Sequence, residues 1–231
     1  MGKRILPALI LALGAATFAG QLPSGSYTSW DLKETVTLLN DSPWAQTTTF
    51  TRLIGGVGSG KAGEKEIYST FFTRLLSAKP IRQALARVHQ IRAGYDKLPE
   101  AERKKLEASL QTGLDADMSQ WLVLTVTFRS NDIQLEKEVR RFLDKESAES
   151  LLDAAFLSTH EFSQIRLAAY YPPEGDGVGA KFVFPRFVDG RPIVTPQSNQ
   201  ILFELNVPGA NPRLAVTFAV PQMLRNGELI L

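Results

Sequence analysis

The spacing of apolar positions changes along the chain, from a mixture of helix and strand periods to an almost pure strand period after residue 160. Residues 47–54 and 66–76 are rich in β-branched and aromatic side chains, which predicts two strands. Residues 121–129 form a nearly continuous apolar run, typical of a central strand covered on both faces. Turn residues then separate alternating stretches, which predicts a meander with strands at 164–171, 181–188, 192–195, 200–207 and 213–220.

Between the predicted strands, apolar side chains recur every three or four positions, which is the period of an amphipathic helix. The pattern is strongest after Pro80, a residue suited to the first turn of a helix. In a shorter helix over 29–40, Leu32, Val36 and Leu39 are expected on the inner face. Further helices are predicted over 99–117, from near residue 131 and over 147–157. These elements together predict an α+β fold, with helices covering one face of a mostly antiparallel sheet.

The first 19 residues have the pattern of a secretory signal peptide. A basic start at Lys3 and Arg4 precedes an apolar stretch that is shorter than a membrane span, and small residues follow it. We expect residues 1–19 to be removed, residues 20–29 to form a flexible leader and residues 30–231 to form a single α+β domain. No second long apolar run follows, so the sequence predicts a periplasmic or secreted bacterial protein with no membrane span after signal removal.

Charge and composition narrow the partners and cofactors. The chain has 26 basic and 24 acidic residues, and two of the basic ones lie in the predicted signal, so the processed protein is electrically neutral. A neutral chain lacks the basic excess of a nucleic-acid-binding protein. The absence of cysteine and the presence of only two histidines exclude thiol catalysis, thiolate metal sites and a histidine-rich metal centre. We therefore expect no cofactor and no metal.

A glycine-rich segment resembles a phosphate-binding loop but departs from it at a decisive position. Residues 55–62, GGVGSGKA, carry the glycines and the lysine of that motif, but Ala62 lacks the hydroxyl group that binds magnesium. The motif should also open into a helix, whereas strand-like residues follow. We interpret the segment as the tip of a wide hairpin and expect no nucleotide.

Aromatic residues beside prolines are the strongest candidates for a binding surface. Trp44 directly follows a predicted helix stop, while Tyr170, Tyr171 and Phe187 lie in a stretch rich in aromatics and prolines. Exposed aromatic loops of this kind recognise peptides or sugars. The alternative for Trp44 is that it packs the first helix against the core.

Three motifs, namely residues 42–45 (SPWA), 77–84 (SAKPIRQA) and 184–186 (FPR), resemble those of a group of uncharacterised exported proteins from acidobacteria-type soil bacteria. That group has no established activity, so the resemblance implies export and a shared fold, and it assigns no catalytic residue.

The sequence contains no catalytic signature. The first hypothesis is therefore a non-catalytic envelope interaction or binding domain. It would bind an envelope protein or peptide through Trp44, Tyr170, Tyr171 and Phe187. Two alternatives stay open. One is a hydrolase whose polar residues converge near His160 only in three dimensions. The other is a carrier that holds a small apolar ligand between helices and sheet.

Overall fold

The computed structural model describes residues 22–54, 65–208 and 213–231. The predicted signal peptide and the glycine-rich loop lie outside the described residues. The described part contains the helices α1 (Leu32–Asn40), α2 (Lys79–Arg92), α3 (Glu100–Leu114) and α4 (Ile133–Lys145). Its strands are β1 (Ala45–Ile54), β2 (Lys65–Leu75), β3 (Trp121–Ser130), β4 (Ala155–Ser158), β5 (Ala169–Tyr171), β6 (Ala180–Pro185), β7 (Phe187–Val188), β8 (Arg191–Pro192), β9 (Gln200–Leu205), β10 (Leu214–Ala219), β11 (Leu224–Arg225) and β12 (Glu228–Leu229).

The main sheet has five strands in the order β1-β2-β3-β6-β5, and β3 is its central strand. The apolar run predicted as a central strand is confirmed, because residues 122–126 are all buried. Strands β1 and β2 pair as an antiparallel hairpin, as the pattern of β-branched residues predicts. A second sheet has three strands in the order β10-β9-β4, and β7-β8 and β11-β12 form two short pairs.

One face of the main sheet packs against the three-stranded sheet. Cross-strand partners point to the same side of a sheet, so the pairs Phe71–Phe128 and Leu124–Phe182 belong to one face. On this face the ring of Phe182 lies 5.3 Å from the ring of Phe203 in β9, measured between centroids. The main apolar core therefore lies between the two sheets.

Helix α1 lies on the other face. Arg74 points to this side of β2, and its Nε donates a hydrogen bond to the carbonyl of Leu39 at the end of α1 (2.7 Å). Helix α1 packs against α2, which packs against α3. Every strand pair among the described residues is antiparallel, so the predicted α+β class is confirmed. Among the described residues, none of the helices has the length and apolar character needed to span a membrane.

The inner face of α1 differs from the prediction. Leu32 and Val36 are exposed, whereas Thr35, Leu38 and Leu39 are buried. Thr35 can face inward because its hydroxyl donates a hydrogen bond to the carbonyl of Asp31 (2.6 Å), so burial leaves no polar atom without a partner.

Two segments predicted from periodicity are also corrected. The segment 147–157 is not a helix: it contains turns and then β4, because Ala155 to Ser158 pair with the edge of β9. Within 164–171 only β5 is a strand; Gln164 has a positive φ of 52°, and Ile165 forms an isolated β-bridge with Leu157. Within the predicted leader, Tyr27–Ser29 form a 3-10 helix, and the ring of Tyr27 lies against the buried Trp30.

Candidate functional site

A cleft of about 560 Å³ opens at the end of the main sheet where β2 ends and β3 begins. The first turn of α2 forms one wall, and the segments 186–194 and 229–231 form the others. Three cationic side chains line it, Lys79, Arg82 and Arg186. We call this site the Arg82–Arg186 cleft.

Arg82 is fixed in place by backbone carbonyls. Its Nε donates to the carbonyl of Leu114 (3.4 Å), and its Nη1 donates to the carbonyls of Leu76 (3.1 Å) and Ser77. Leu114 is the last residue of α3, where carbonyls lack partners within the helix. These bonds orient the guanidinium, and its Nη2 has no partner among the described residues.

Arg186 is held in a similar way from the opposite wall. Its Nε donates to the carbonyls of Met118 (2.7 Å) and Trp121 (3.1 Å). Neither of its Nη atoms has a hydrogen-bond partner in the described part of the chain. Both of these side-chain hydrogen bonds use Nε, so the two Nη groups of the guanidinium are available to a ligand.

The two guanidiniums are half-buried, and the charge of Arg82 acts on Arg186. Burial lowers the pKa of Arg186, and the nearby positive charge of Arg82 lowers it further. Burial also lowers the pKa of Arg82, which Asp115 partly opposes. Neither arginine forms an ion pair with a described carboxylate. Because two cations in a partly buried cleft are destabilising, an anion placed between them would be bound favourably.

The remaining walls are largely apolar. Leu122 and Ile193 are almost fully buried beneath the cleft, while Phe187 is 45% exposed at its edge. Ile230 lines the cleft, and its carbonyl accepts a hydrogen bond from Nε1 of Trp44 (2.6 Å). The cleft therefore combines fixed cationic donors with an apolar surface, which suits a ligand with an anionic end and an apolar body.

Of the four aromatic residues predicted for binding, only Phe187 lines this cleft. Trp44 is completely buried, so the prediction that it is an exposed binding residue is wrong. Its indole packs in the core and donates a hydrogen bond to the carbonyl of Ile230, in agreement with the alternative interpretation. Tyr170 is also buried, because its hydroxyl donates a hydrogen bond to the carbonyl of Leu143. Tyr171 is 52% exposed on β5 and does not line the cleft.

Sequence reasoning missed Arg82 and Arg186. Arg82 follows Pro80 at the predicted start of a helix, and Arg186 lies within an aromatic and proline-rich stretch. The available signal was an arginine directly after a buried segment in each case. That signal became specific only when the fold brought the two segments to one cleft.

The alternative site near His160 gains no support from the geometry. His160 is exposed and does not line the cleft, and it forms no hydrogen bond with a serine or a carboxylate among the described residues. His89 lies exposed on α2. Within residues 22–54, 65–208 and 213–231 no three histidine or acidic side chains cluster in a way that could hold a metal ion.

Comparisons of the chain with protein-family models, with curated proteins and with solved structures found no match.

Proposed function

We propose that this protein is an exported, non-catalytic binding domain, and that the Arg82–Arg186 cleft holds the C-terminal carboxylate of an apolar peptide segment from an envelope partner. The observation that carries the proposal is the pair of half-buried guanidiniums. Among the described residues they have unused donors and no paired carboxylate, and an apolar wall lies beside them.

A carboxylate matches the donors that the cleft offers. Guanidinium groups bind carboxylates through two parallel N–H···O hydrogen bonds, and such charge-assisted bonds are about twice as strong as neutral ones. With respect to residues 22–54, 65–208 and 213–231, both Nη atoms of Arg186 and Nη2 of Arg82 have no hydrogen-bond partner and can adopt this geometry. Lys79 adds a third positive charge at the start of α2.

A peptide end suits the cleft better than the tail of a lipid. The cleft is open and contains the side chain of Ser119 as well as its apolar residues. A lipid tail is best accommodated in an enclosed apolar cavity, whereas a peptide needs polar groups for its backbone and a short apolar surface for one or two side chains. Phe187 and Ile193 would contact the last side chain of the peptide.

Export is supported by the amino-terminal pattern of a basic start, an apolar stretch and small residues. The resemblance to exported bacterial proteins points in the same direction. A periplasmic or secreted location would place the cleft among envelope proteins.

Calorimetric titration of the purified protein with an acetylated heptapeptide ending in Val-Leu tests the proposal. The free acid is expected to bind, and the C-terminal amide is expected to bind at least about tenfold more weakly, because it loses charge-assisted hydrogen bonds worth about 1.5–3 kcal/mol. Decanoate, a short fatty acid, is titrated in the same way to test binding of a lipid. If decanoate binds more strongly than the peptide, the alternative of a carrier for a small apolar ligand is favoured.

Variants locate the binding. Arg186→Gln should weaken the binding of the free-acid peptide by about tenfold. It should leave the weaker binding of the amide almost unchanged. Arg166→Gln, on an exposed arginine outside the cleft, is the matched control and should bind like the unmodified protein. Circular dichroism checks that each variant is folded. Equal binding of acid and amide would contradict the proposal without any variant.

A further inference from the structure

A second groove lies at the other end of β3, and it shares no residue with the Arg82–Arg186 cleft. Its volume is about 630 Å³. Strands β2 and β3 form its floor, and the ends of α1 and α2, helix α4 and the glycine-containing loop 173–179 form its walls. We call it the Arg74 groove, after the most deeply buried charge that lines it.

Arg74 is a buried cation without an acidic partner. Arg74 is only 8% exposed. Its Nε donates to the carbonyl of Leu39 (2.7 Å), its Nη2 donates to Oδ1 of Asn40 (3.1 Å), and no carboxylate of the described chain forms an ion pair with it. Burial lowers the pKa of Arg74 to about 10. Its Nη1 has no hydrogen-bond partner within the described ranges, and the side chain lines the groove.

Two further arginines line the same groove without an ion pair among the described residues, Arg92 at the end of α2 and Arg140 on α4. Most of the carboxylates there are already engaged. Glu136 is paired with Arg129 (2.8 Å), and Asp176 is paired with Lys181 (3.3 Å). The groove is lined by four arginines (Arg74, Arg92, Arg129 and Arg140) and three carboxylates (Glu136, Asp144 and Asp176), an excess of one positive charge, and three of these arginines have no ion pair among the described residues.

The wall formed by the loop is fixed in position. Gly179 has a φ of +100°, and a Cβ atom there would lie 2.5 Å from the carbonyl oxygen of Val126 and in contact with Thr127. The close approach to β3 thus requires glycine. The side chain of Asp176 accepts a hydrogen bond from the backbone N–H of Val178 (2.9 Å), which fixes the shape of the loop. A site built in this way loses little conformational freedom when a ligand binds.

We propose that the Arg74 groove binds a phosphate monoester, with the oxyanion held by Arg74, Arg92 and Arg140. A phosphate monoester carries a charge of about −1.5 to −2 near neutral pH, so these three guanidiniums should hold it more strongly than a singly charged anion. Guanidiniums that approach from a strand and from two helices suit a tetrahedral group better than a planar carboxylate. Phe72 and Leu143 line the same groove and offer an apolar surface to the organic part of the ester.

Isothermal titration calorimetry with phenyl phosphate at constant ionic strength tests this site. Phenyl sulfate, of similar shape but with a single charge, is the control ligand and should bind at least about tenfold more weakly, and inorganic phosphate should bind more weakly than the ester. Arg140→Gln is expected to weaken phenyl phosphate by about tenfold, because one charge-assisted contact is removed from an exposed helix position that does not carry the fold.

Arg141→Gln is the matched control, since Arg141 is an exposed neighbour on α4 that does not line the groove. It should change the affinity by less than about twofold, because an exposed charge outside the site is largely screened. Equal binding of phenyl sulfate, or an equal loss in Arg141→Gln, would overturn the inference. So would a loss of phenyl phosphate binding in Arg186→Gln with none in Arg140→Gln, which would assign the phosphate to the other cleft. Peptide binding by the Arg82–Arg186 cleft is measured separately, so the two proposals fail independently.

Discussion

Trp44 links the start of the main sheet to the carboxyl-terminal segment of the described chain. Its side chain is completely buried, its indole N–H bonds to the carbonyl of Ile230, and the guanidinium of Arg225 lies 5.2 Å from its ring centroid. Because Ile230 lines the Arg82–Arg186 cleft, Trp44 supports one wall of that cleft from the inside. Its role is structural support of the site, and a partner has no access to it.

Replacing this indole should be costly. Trp44→Ala is expected to lower the free energy of unfolding by about 3–5 kcal/mol, since it removes a large buried side chain and leaves a cavity. Trp44→Phe should cost about 1–3 kcal/mol, because the Ile230 carbonyl loses its donor. The measurement is urea denaturation followed by circular dichroism, with Trp121→Ala, at a tryptophan that is 42% exposed, as the comparison. A loss of less than about 1 kcal/mol in Trp44→Ala would contradict this assignment.

Tyr170 makes the stability of the protein sensitive to alkaline pH. Burial, together with the charges of Glu146 and Asp144, raises the pKa of its phenol above the ordinary value of 10.0. Above about pH 10 the unfolded chain loses this proton while the folded protein keeps it, so the unfolded state binds fewer protons and stability falls as the pH rises.

Tyr170→Phe should therefore make the unfolding free energy decline less steeply between about pH 9 and pH 11, as measured by denaturation at several pH values. Tyr27 and Tyr95 also have raised pKa values, so part of the decline should persist in this variant. Tyr171→Phe, at the exposed neighbouring position, should reproduce the slope of the unmodified protein. Identical slopes in the two variants would show that Tyr170 does not control this pH dependence.

Among the structural elements, the junction that leads into β6 depends most on a single residue. Gly179 combines a positive φ with backbone contact against β3. Gly179→Ala should cost more than the roughly 1–2 kcal/mol of a left-handed alanine, because the loop must also move away from Val126.

Gly175→Ala is the matched control, since Gly175 has a similar φ of +77° but open space around its Cα. It should cost about 1–2 kcal/mol, the backbone contribution alone. Thermal unfolding of both variants gives the comparison, and equal losses would show that the close approach to β3 contributes nothing. The loss at Gly179 should also weaken phenyl phosphate binding, because the same loop forms a wall of the Arg74 groove.

Local sequence patterns predict the elements where one period dominates. Helix α2 carries Pro80 in its first turn and keeps one apolar stripe, and β3 is a nearly continuous apolar run, so both were predicted within a few residues. The pattern misleads where a short apolar stretch fits two periods. Residues 155–158 continue a helical spacing, but β4 forms there because β9 offers an unpaired edge, and that edge is almost 50 residues away in sequence.

At the scale of the whole molecule, three layers bring distant segments together at the two ends of β3. The Arg82–Arg186 cleft contains Leu122 at its start and the Arg74 groove contains Arg129 near its end, about 20 Å apart along an extended strand. The arginines in each site come from different elements, so no local motif joins them. For this reason the sequence predicted the α+β class correctly, but it predicted Trp44 and Tyr170 as binding residues although both are buried in the core.

The central claim is that Arg82 and Arg186 together hold a carboxylate. The most direct measurement is an NMR titration of the side-chain guanidinium signals of the arginines with the free-acid heptapeptide and with its amide. The signals of Arg82 and Arg186 should shift with the free acid and stay almost unchanged with the amide, while the signal of the exposed Arg166 responds to neither. Binding of the free acid with both cleft arginines unperturbed would contradict the account.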